Sequence, residues 1–459
     1  MSLWTASDAA AATGGAARGV WAVTGFGIDS RALVPGHMFV ALKAARDGHD
    51  FVRGALDAGA GAALVSRIPD GCEDAPLLLV PDVQTALEDL GRAGRARSSA
   101  QVIAVTGSVG KTSTKEMLRH CLSPQGKTHA AIKSYNNHWG VPLTLAATPP
   151  NAAFAVVEIG MNHPGEIAPL ATMAQPHVAM VTTVAPVHLE AFEDGIEGIA
   201  REKASIFSGL VPGGAAIWNA DVETASILAR NGTVSFGSAE ADWILTAVNA
   251  SADATTCAAD TPVGPITFRI GAPGAHFAMN ALAVLAACHA AGADVARAAM
   301  ALSDWTPPDG RGRRHAVRLT PDGPPVDLID DAYNANPASI GAALDLLAAT
   351  DIPPKARRIA ILGDMKELGP TGPDLHAALA DHPAMADLHQ IHTVGPLMHH
   401  LHDALPVDRR GLHANDAAAL APDLKTLVQP GDALLVKGSL SMNMAQLIAG
   451  LRALGAPEE

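Results

Sequence analysis

Short apolar runs recur along the chain, each broken by glycine, aspartate or proline and followed by a stretch with helical spacing. In the first hundred or so residues, "HMFVAL" (37–42) and "GAALVS" (61–66) have the pattern of buried strands. "HDFVRGALDAGA" between them has helical spacing and a glycine stop, so a small α/β unit is expected. The texture changes near Arg97 and Ser99. From there "VIAVT", "AFAVVEIG", "HVAMVTTVA" and "GAAIWN" alternate with helical stretches, which predicts a parallel sheet with crossover helices. Residues 240–270 look irregular or like a β excursion, and "HFAMNALAVLAACHAAGA" (276–293) is a long apolar helix ending in glycine. "WTPPDGRGRR" (305–314) has the prolines and glycines of a linker. The alternation restarts through "VDLIDDAYNANP", a helix over 338–349, "RIAILGD", "QIHTVG" and "DALLVKGS", predicting a second α/β sheet with its own core. The expected class is α/β in three domains, 1–99, 100–307 and 308–459.

Composition narrows the possible partners. The 459 residues agree with three domains of about 150 residues each. A net charge of −14 argues against a nucleic-acid grip, which needs clustered Lys and Arg. Cys72, Cys121, Cys257 and Cys288 are scattered and form no CxxC, which suits a reducing cytosol and offers no metal framework. The start, "MSLWTASDAAAATGG", lacks a basic stretch followed by an apolar core, so no signal peptide is expected. No apolar run approaches the roughly 18 to 20 residues of a membrane span. The expectation is a cytoplasmic monomer with small-molecule substrates and no membrane or nucleic-acid partner.

The chemistry concentrates at "VIAVTGSVGKTSTKEML" (102–118). A strand, a glycine-rich turn and a helix N-terminus are what a phosphate requires. Lys111 would reach terminal phosphates and the Thr112 hydroxyl would meet Mg²⁺. Against this, Val105 stands where the usual spacing places glycine, and a structural turn with a solvated lysine is the alternative. Glu158 ends a later strand, either as a capped acid or as a Mg²⁺ ligand. His188 follows the next strand at the same sheet edge. Alone it would be a structural or solvated histidine, but convergence with the loop favours a functional one.

"TGSVGKTS", "NNHWGVPLTL", "EIGMNHPGEI", "HLEAF", "REKASIF", "FAMNAL", "DDAYNANP", "GDMKELG" and "VKGS" occur in the order seen in Mur ligases, which the chain resembles over nearly its whole length. Those enzymes use a shortened TGxxGKT loop, which accommodates Val105. The resemblance implies a small N-terminal α/β domain for UDP-MurNAc, beginning around "GIDSRALVPGHMFVALKAARDGHDF" (27–51). It implies a central P-loop parallel-sheet ATPase domain and a C-terminal Rossmann-like α/β domain. It further implies a ligase that activates a carboxylate as an acyl phosphate at the expense of ATP with Mg²⁺, after which an amine attacks. "DDAYNANP" and "GDMKELG" point to the branch joining D-Ala-D-Ala to UDP-MurNAc-tripeptide in peptidoglycan precursor synthesis. A sister ligase adding a single diamino acid to UDP-MurNAc-dipeptide and folylpolyglutamate synthase are the alternatives.

By resemblance, Thr106, Gly107, Ser108, Val109, Gly110, Lys111, Thr112 and Ser113 hold the nucleotide phosphates. Thr112 and Glu158 serve Mg²⁺, His188 helps hold a second Mg²⁺ near the acceptor carboxylate, and Lys203 is a further metal ligand, with Lys111, His188, Lys203 and Arg311 as the catalytic set. An ammonium at Lys203 would repel the metal, and in related ligases the matching lysine carries a carbamate. A lysine touching ATP phosphate or a surface carboxylate is the alternative. Asn280, in an apolar helix, is a satisfied core amide or, as the resemblance favours, an adenine contact. Arg311 would reach the γ-phosphate, with Arg313 competing, and Asp331 would accept from the ribose. Ser30 and Arg31 fall where the family binds the uridine nucleotide, although Arg31 also suits an exposed turn. Asn136 and Asn137 would face the peptide, and Lys437 and Ser439 the dipeptide carboxylate. His399, His400 and His402 have no ligand spacing and are expected to be solvated.

Overall fold

The computed structural model describes residues 2–131, 133–251 and 253–455, which build three α/β units in chain order. In the first, a five-stranded sheet runs in the order Ala16–Arg18, Leu77–Leu79, Ala62–Val65, Met38–Val40, Phe26–Gly27. Only the Ala16–Arg18 edge is antiparallel. The helix Val83–Arg97 starts at Asp82, whose carboxylate accepts from the Thr85 N–H at 2.7 Å. Its buried face crosses the helix Gly140–Ala146 at contact distance. A methyl at Gly91 would lie 2.9 Å from Pro142 Cα, and one at Gly94 2.9 Å from Ala146 Cα. Leu87 and Leu90 share a core with Leu143 and Ala146, so this crossing joins the first unit to the second.

The second unit holds nine strands in the order Ile266–Ile270, Thr255–Asp260, Trp243–Ala250, Val234–Gly237, Ala215–Asn219, Val178–Val181, Gln101–Thr106, Phe154–Glu158, Thr128–Ala130. The seven strands from Trp243–Ala250 onward are parallel. Both faces of the parallel part are covered, which is why its strands are continuous apolar runs rather than alternating ones. Helix Ala275–Ala290 and Met117, Leu118 and Cys121 of helix Lys111–Leu122 pack on one face, and helices Ile167–Ala174 and Gly195–Ala204 on the other. Residues 240–270 resolve into the β alternative, with two antiparallel strands extending the sheet.

The third unit has six strands in the order Arg313–Val317, Val326–Asp331, Ala433–Lys437, Arg358–Gly363, Gln390–Val394, Arg410–Ala414, parallel except for the first. Helix Pro337–Ala348 opens at a capping box between Asn336 and Ser339. The linker ends at Gly312, earlier than expected, because Arg313–Val317 is already paired with Val326–Asp331. Helices Ala6–Thr13 and Val83–Arg97 and the edge strands Thr128–Ala130 and Arg410–Ala414 were not evident from apolar patterning. Edge strands are short and half-solvated, so they lack the apolar run that marks a central strand. All four cysteines are buried and unpaired. Among the described residues no helix is long and apolar enough to cross a membrane.

Candidate active site

Gln101–Thr106 lies between Phe154–Glu158 and Val178–Val181, so three parallel strands deliver their carboxyl ends to one edge. The loop after the first of these turns at Gly107 (φ 152°) and Gly110 (φ 86°), conformations that a side chain would strain. Thr182 fastens it by donating to the Val109 carbonyl at 2.6 Å. Ser108 is spent on anchoring: its N–H donates to Thr183 O at 2.9 Å and its hydroxyl to Ala185 O at 3.0 Å. Asn280 lies against Gly110, its Oδ1 2.9 Å from where a Cβ would stand.

Lys111 opens the following helix and folds back, its Nζ donating to Gly107 O at 2.6 Å. Burial pushes its pKa below the ordinary lysine value, an effect opposed by Glu158 and reinforced by Arg311. The Thr112 hydroxyl lies 3.2 Å from Glu158 Oε1 and 2.9 Å from Ser134 Oγ. Asn136 donates to the same Oε1 at 2.8 Å. Glu158 Oε2 is buried with no partner among the described residues. An orphaned carboxylate oxygen beside a threonine hydroxyl and the phosphate loop is the donor set of a hard divalent cation, so the residues present fit Mg²⁺.

Lys203 is 2% exposed. Burial first, and then the charge of Lys111, drives its pKa well below the ordinary value. A neutral amine is the form that reacts with CO₂, so the environment suits the carbamate as well as it disfavours a bare ammonium. Its neighbour Glu202 accepts from Gly165 and Ile167 N–H groups, each at 2.8 Å, and is thereby occupied.

The third unit closes over this edge. Arg311 Nη2 reaches Thr112 Oγ1 at 3.3 Å, with the guanidinium 4.1 Å from the Tyr333 ring centre. Arg313 pairs with Asp309 at 2.9 Å, so of the two arginines it is Arg311 that meets the loop. His188 Nδ1 meets Glu367 Oε2 at 2.6 Å, and both residues sit at positive φ, 55° and 63°. This bond holds the Glu367 carboxyl below its ordinary value. Buried Lys437 and half-buried Asp331 face each other as a pair at 2.7 Å. Burial raises the Asp331 pKa while Lys437 opposes it. Lys437 also donates to Asn334 O at 2.9 Å. Its charge bears on His276, whose pKa burial pushes down to about 4. Ser439 Oγ accepts from the Lys366 N–H at 3.0 Å.

Other nominated residues stand apart from this cluster or serve local structure. Ser30 and Arg31 lie in a 3₁₀ turn of the first unit, where Arg31 is 81% exposed and pairs with Asp29 at 2.8 Å. Asn137 Oδ1 accepts from Trp139 and Gly140 N–H groups at the start of a helix. His399 and His400 are exposed, as expected of solvated residues, whereas His402 is half-buried beside His399 and His413. Thr182, Tyr333 and Glu367 were missed. All three lie inside quoted motifs, and only the folded loops reveal their partners.

Two family models match the chain, "Mur ligase middle domain" over residues 105–288 and "Mur ligase, glutamate ligase domain" over 313–440. The UDP-N-acetylmuramoyl-tripeptide--D-alanyl-D-alanine ligase of Escherichia coli (strain K12) is 37% identical, with 92% of each chain covered. A crystal structure of MurF from Acinetobacter baumannii superposes with a TM-score of 0.83 at 30% identity, covering 98% of this chain and 99% of that one. The MurF ligase of Thermotoga maritima, solved in complex with ADP, gives a TM-score of 0.76 at 26% identity over 94% and 98% of the two chains.

Proposed function

The chain belongs to the Mur ligase family, and from that premise we propose that it is the cytoplasmic, ATP-dependent ligase that joins D-Ala-D-Ala to UDP-MurNAc-tripeptide. Residues 1–99 would bind the uridine nucleotide, 100–307 ATP, and 308–459 the incoming dipeptide. The observation that carries this reading is the orphaned Glu158 Oε2 beside Thr112, with Lys111 below and Arg311 arriving from the third unit.

The first step brings two anions together, the ATP γ-phosphoryl and the tripeptide carboxylate, so the site must supply cations in fixed positions. Lys111, already desolvated, would exchange its bond to Gly107 O for phosphate oxygens. Arg311, already at Thr112, would swing to the γ-phosphoryl. Thr112, Glu158 and a carbamylated Lys203 would hold Mg²⁺ and His188 a second Mg²⁺ near the acceptor carboxylate, ions that neutralise phosphate charge when bound. His188 would leave Glu367 for that role. The loop amides and Ser113 cradle the phosphates, Asn280 and Asp331 the adenosine. For Asp331, and for Lys437 and Ser439 at the dipeptide carboxylate, the reading requires the Asp331–Lys437 pair to open toward substrate. Closure of the third unit excludes water from the acyl phosphate until the dipeptide amine attacks.

The test is phosphate release from ATP with UDP-MurNAc-tripeptide, with and without D-Ala-D-Ala. Release requiring both is expected. Turnover only with UDP-MurNAc-dipeptide and a diamino acid would overturn the assignment. Lys111→Ala should lower kcat by several orders of magnitude with the melting temperature little changed, as loss of a phosphate-bridging cation would.

A further inference from the structure

A second group of donor atoms converges where the linker enters the third unit. Ligand atoms of Asp309, His315 and Asp330 lie within 4.8 Å of one another. His315 Nε2 is buried with no hydrogen-bond partner among the described residues, and it stands 3.9 Å from Asp330 Oδ2, too far for a hydrogen bond. A buried imidazole nitrogen facing a buried carboxylate across such a gap is an unsatisfied arrangement. The gap is near what one metal ion spans, since two ligands at about 2.1 Å each are at most about 4.2 Å apart. Asp330 is held in place by backbone: Gly310 N–H donates to Oδ2 at 2.9 Å and Ala332 N–H to Oδ1 at 3.3 Å. Each of its oxygens keeps a free lone pair. Asp309 is exposed and pairs with Arg313 through Oδ1 at 2.9 Å.

We propose that Asp309, His315 and Asp330 form a site for a divalent first-row transition ion, separate from the Mg²⁺ position at Glu158. One imidazole and two carboxylates suit Zn²⁺, Mn²⁺ or Fe²⁺ better than the all-oxygen preference of Mg²⁺. The site straddles residue 311. An ion joining Asp309 to the strands on the far side of Gly310 fixes the turn that aims Arg311 at Thr112. Ion occupancy and the placement of that arginine are therefore coupled.

The experiment is a calorimetric Zn²⁺ titration of the full metal-stripped chain in excess Mg²⁺, with Co²⁺ absorption as an independent readout of imidazole ligation. One Zn²⁺ per chain is expected at this site. Binding should weaken by more than about tenfold in both His315→Ala and Asp309→Asn. Asp309 is exposed, so its variant separates ligand loss from misfolding. Glu158→Gln and His413→Ala should leave this site intact. No Zn²⁺ uptake by the wild-type chain, unchanged binding in the two ligand variants, or a loss confined to Glu158→Gln or His413→Ala would overturn the proposal. None of these readouts depends on ligase activity.

Discussion

At the scale of single residues, the most legible part of the site was the part carried by contiguous chain. Lys111 and Thr112 follow from a strand, a glycine turn and a helix start. Glu158 follows from a carboxylate placed at the end of a buried strand. What the residues would touch was far less legible. Asn136 is expected at the peptide, and its bond to Glu158 could not be read beforehand, because its direction is set by the fold of a loop. His392 shows the same limit. It reads as one polar residue in an apolar strand, yet it is 1% exposed and its Nδ1 accepts from the Leu412 N–H at 2.9 Å. Burial pushes its pKa down to about 4. In the unfolded chain the ordinary value is about 6.5, so between those limits the unfolded state binds a proton that the folded state refuses. Stability therefore falls as pH drops below about 6.5, by about 1 kcal/mol per unit for this residue, and is indifferent to it above. Urea midpoints at about pH 7 and pH 5 should show a shallower decline for His392→Gln than for wild type. Equal slopes would remove the assignment.

At the scale of elements, patterning recovered the central strands and misjudged what lies at edges and crossings. Helix Val83–Arg97 has apolar residues at helical spacing, but Gly91 and Gly94 weaken its propensity. Their reason is the helix they cross, which sequence spacing does not contain. Gly94→Ala should cost about 1 to 3 kcal/mol through overpacking against Ala146. Gly54→Ala, in helix Val52–Asp57 with open space around it, should stabilise by about 0.5 to 1 kcal/mol. Denaturation midpoints moving in the same direction for both would contradict the packing account.

At the scale of the whole molecule, contacts between the second and third units include two polar ones, Arg311 to Thr112 and His188 to Glu367. The latter pair is half-exposed and holds two residues at positive φ, so solvent screening and backbone strain leave it worth at most about 1 kcal/mol. Glu367→Ala should therefore reduce the closed population by no more than about fivefold. Solution scattering without nucleotide would register this as a larger radius of gyration, and an unchanged profile would deny the pair any part in closure. This partnership was illegible in the sequence, since it exists only when two separately folded units meet. The cysteines have a different molecular consequence. Cys72 lies in the first core, while Cys121, Cys257 and Cys288 lie in the second, where burial pushes the Cys121 thiol up to about 12 and Cys257 to about 11. The third unit has none. Thiol-reactive dyes thus have nothing to modify until a core opens, and each modified site then dates the opening of one particular unit. The chain carries its own clock for the order in which its first two units come apart.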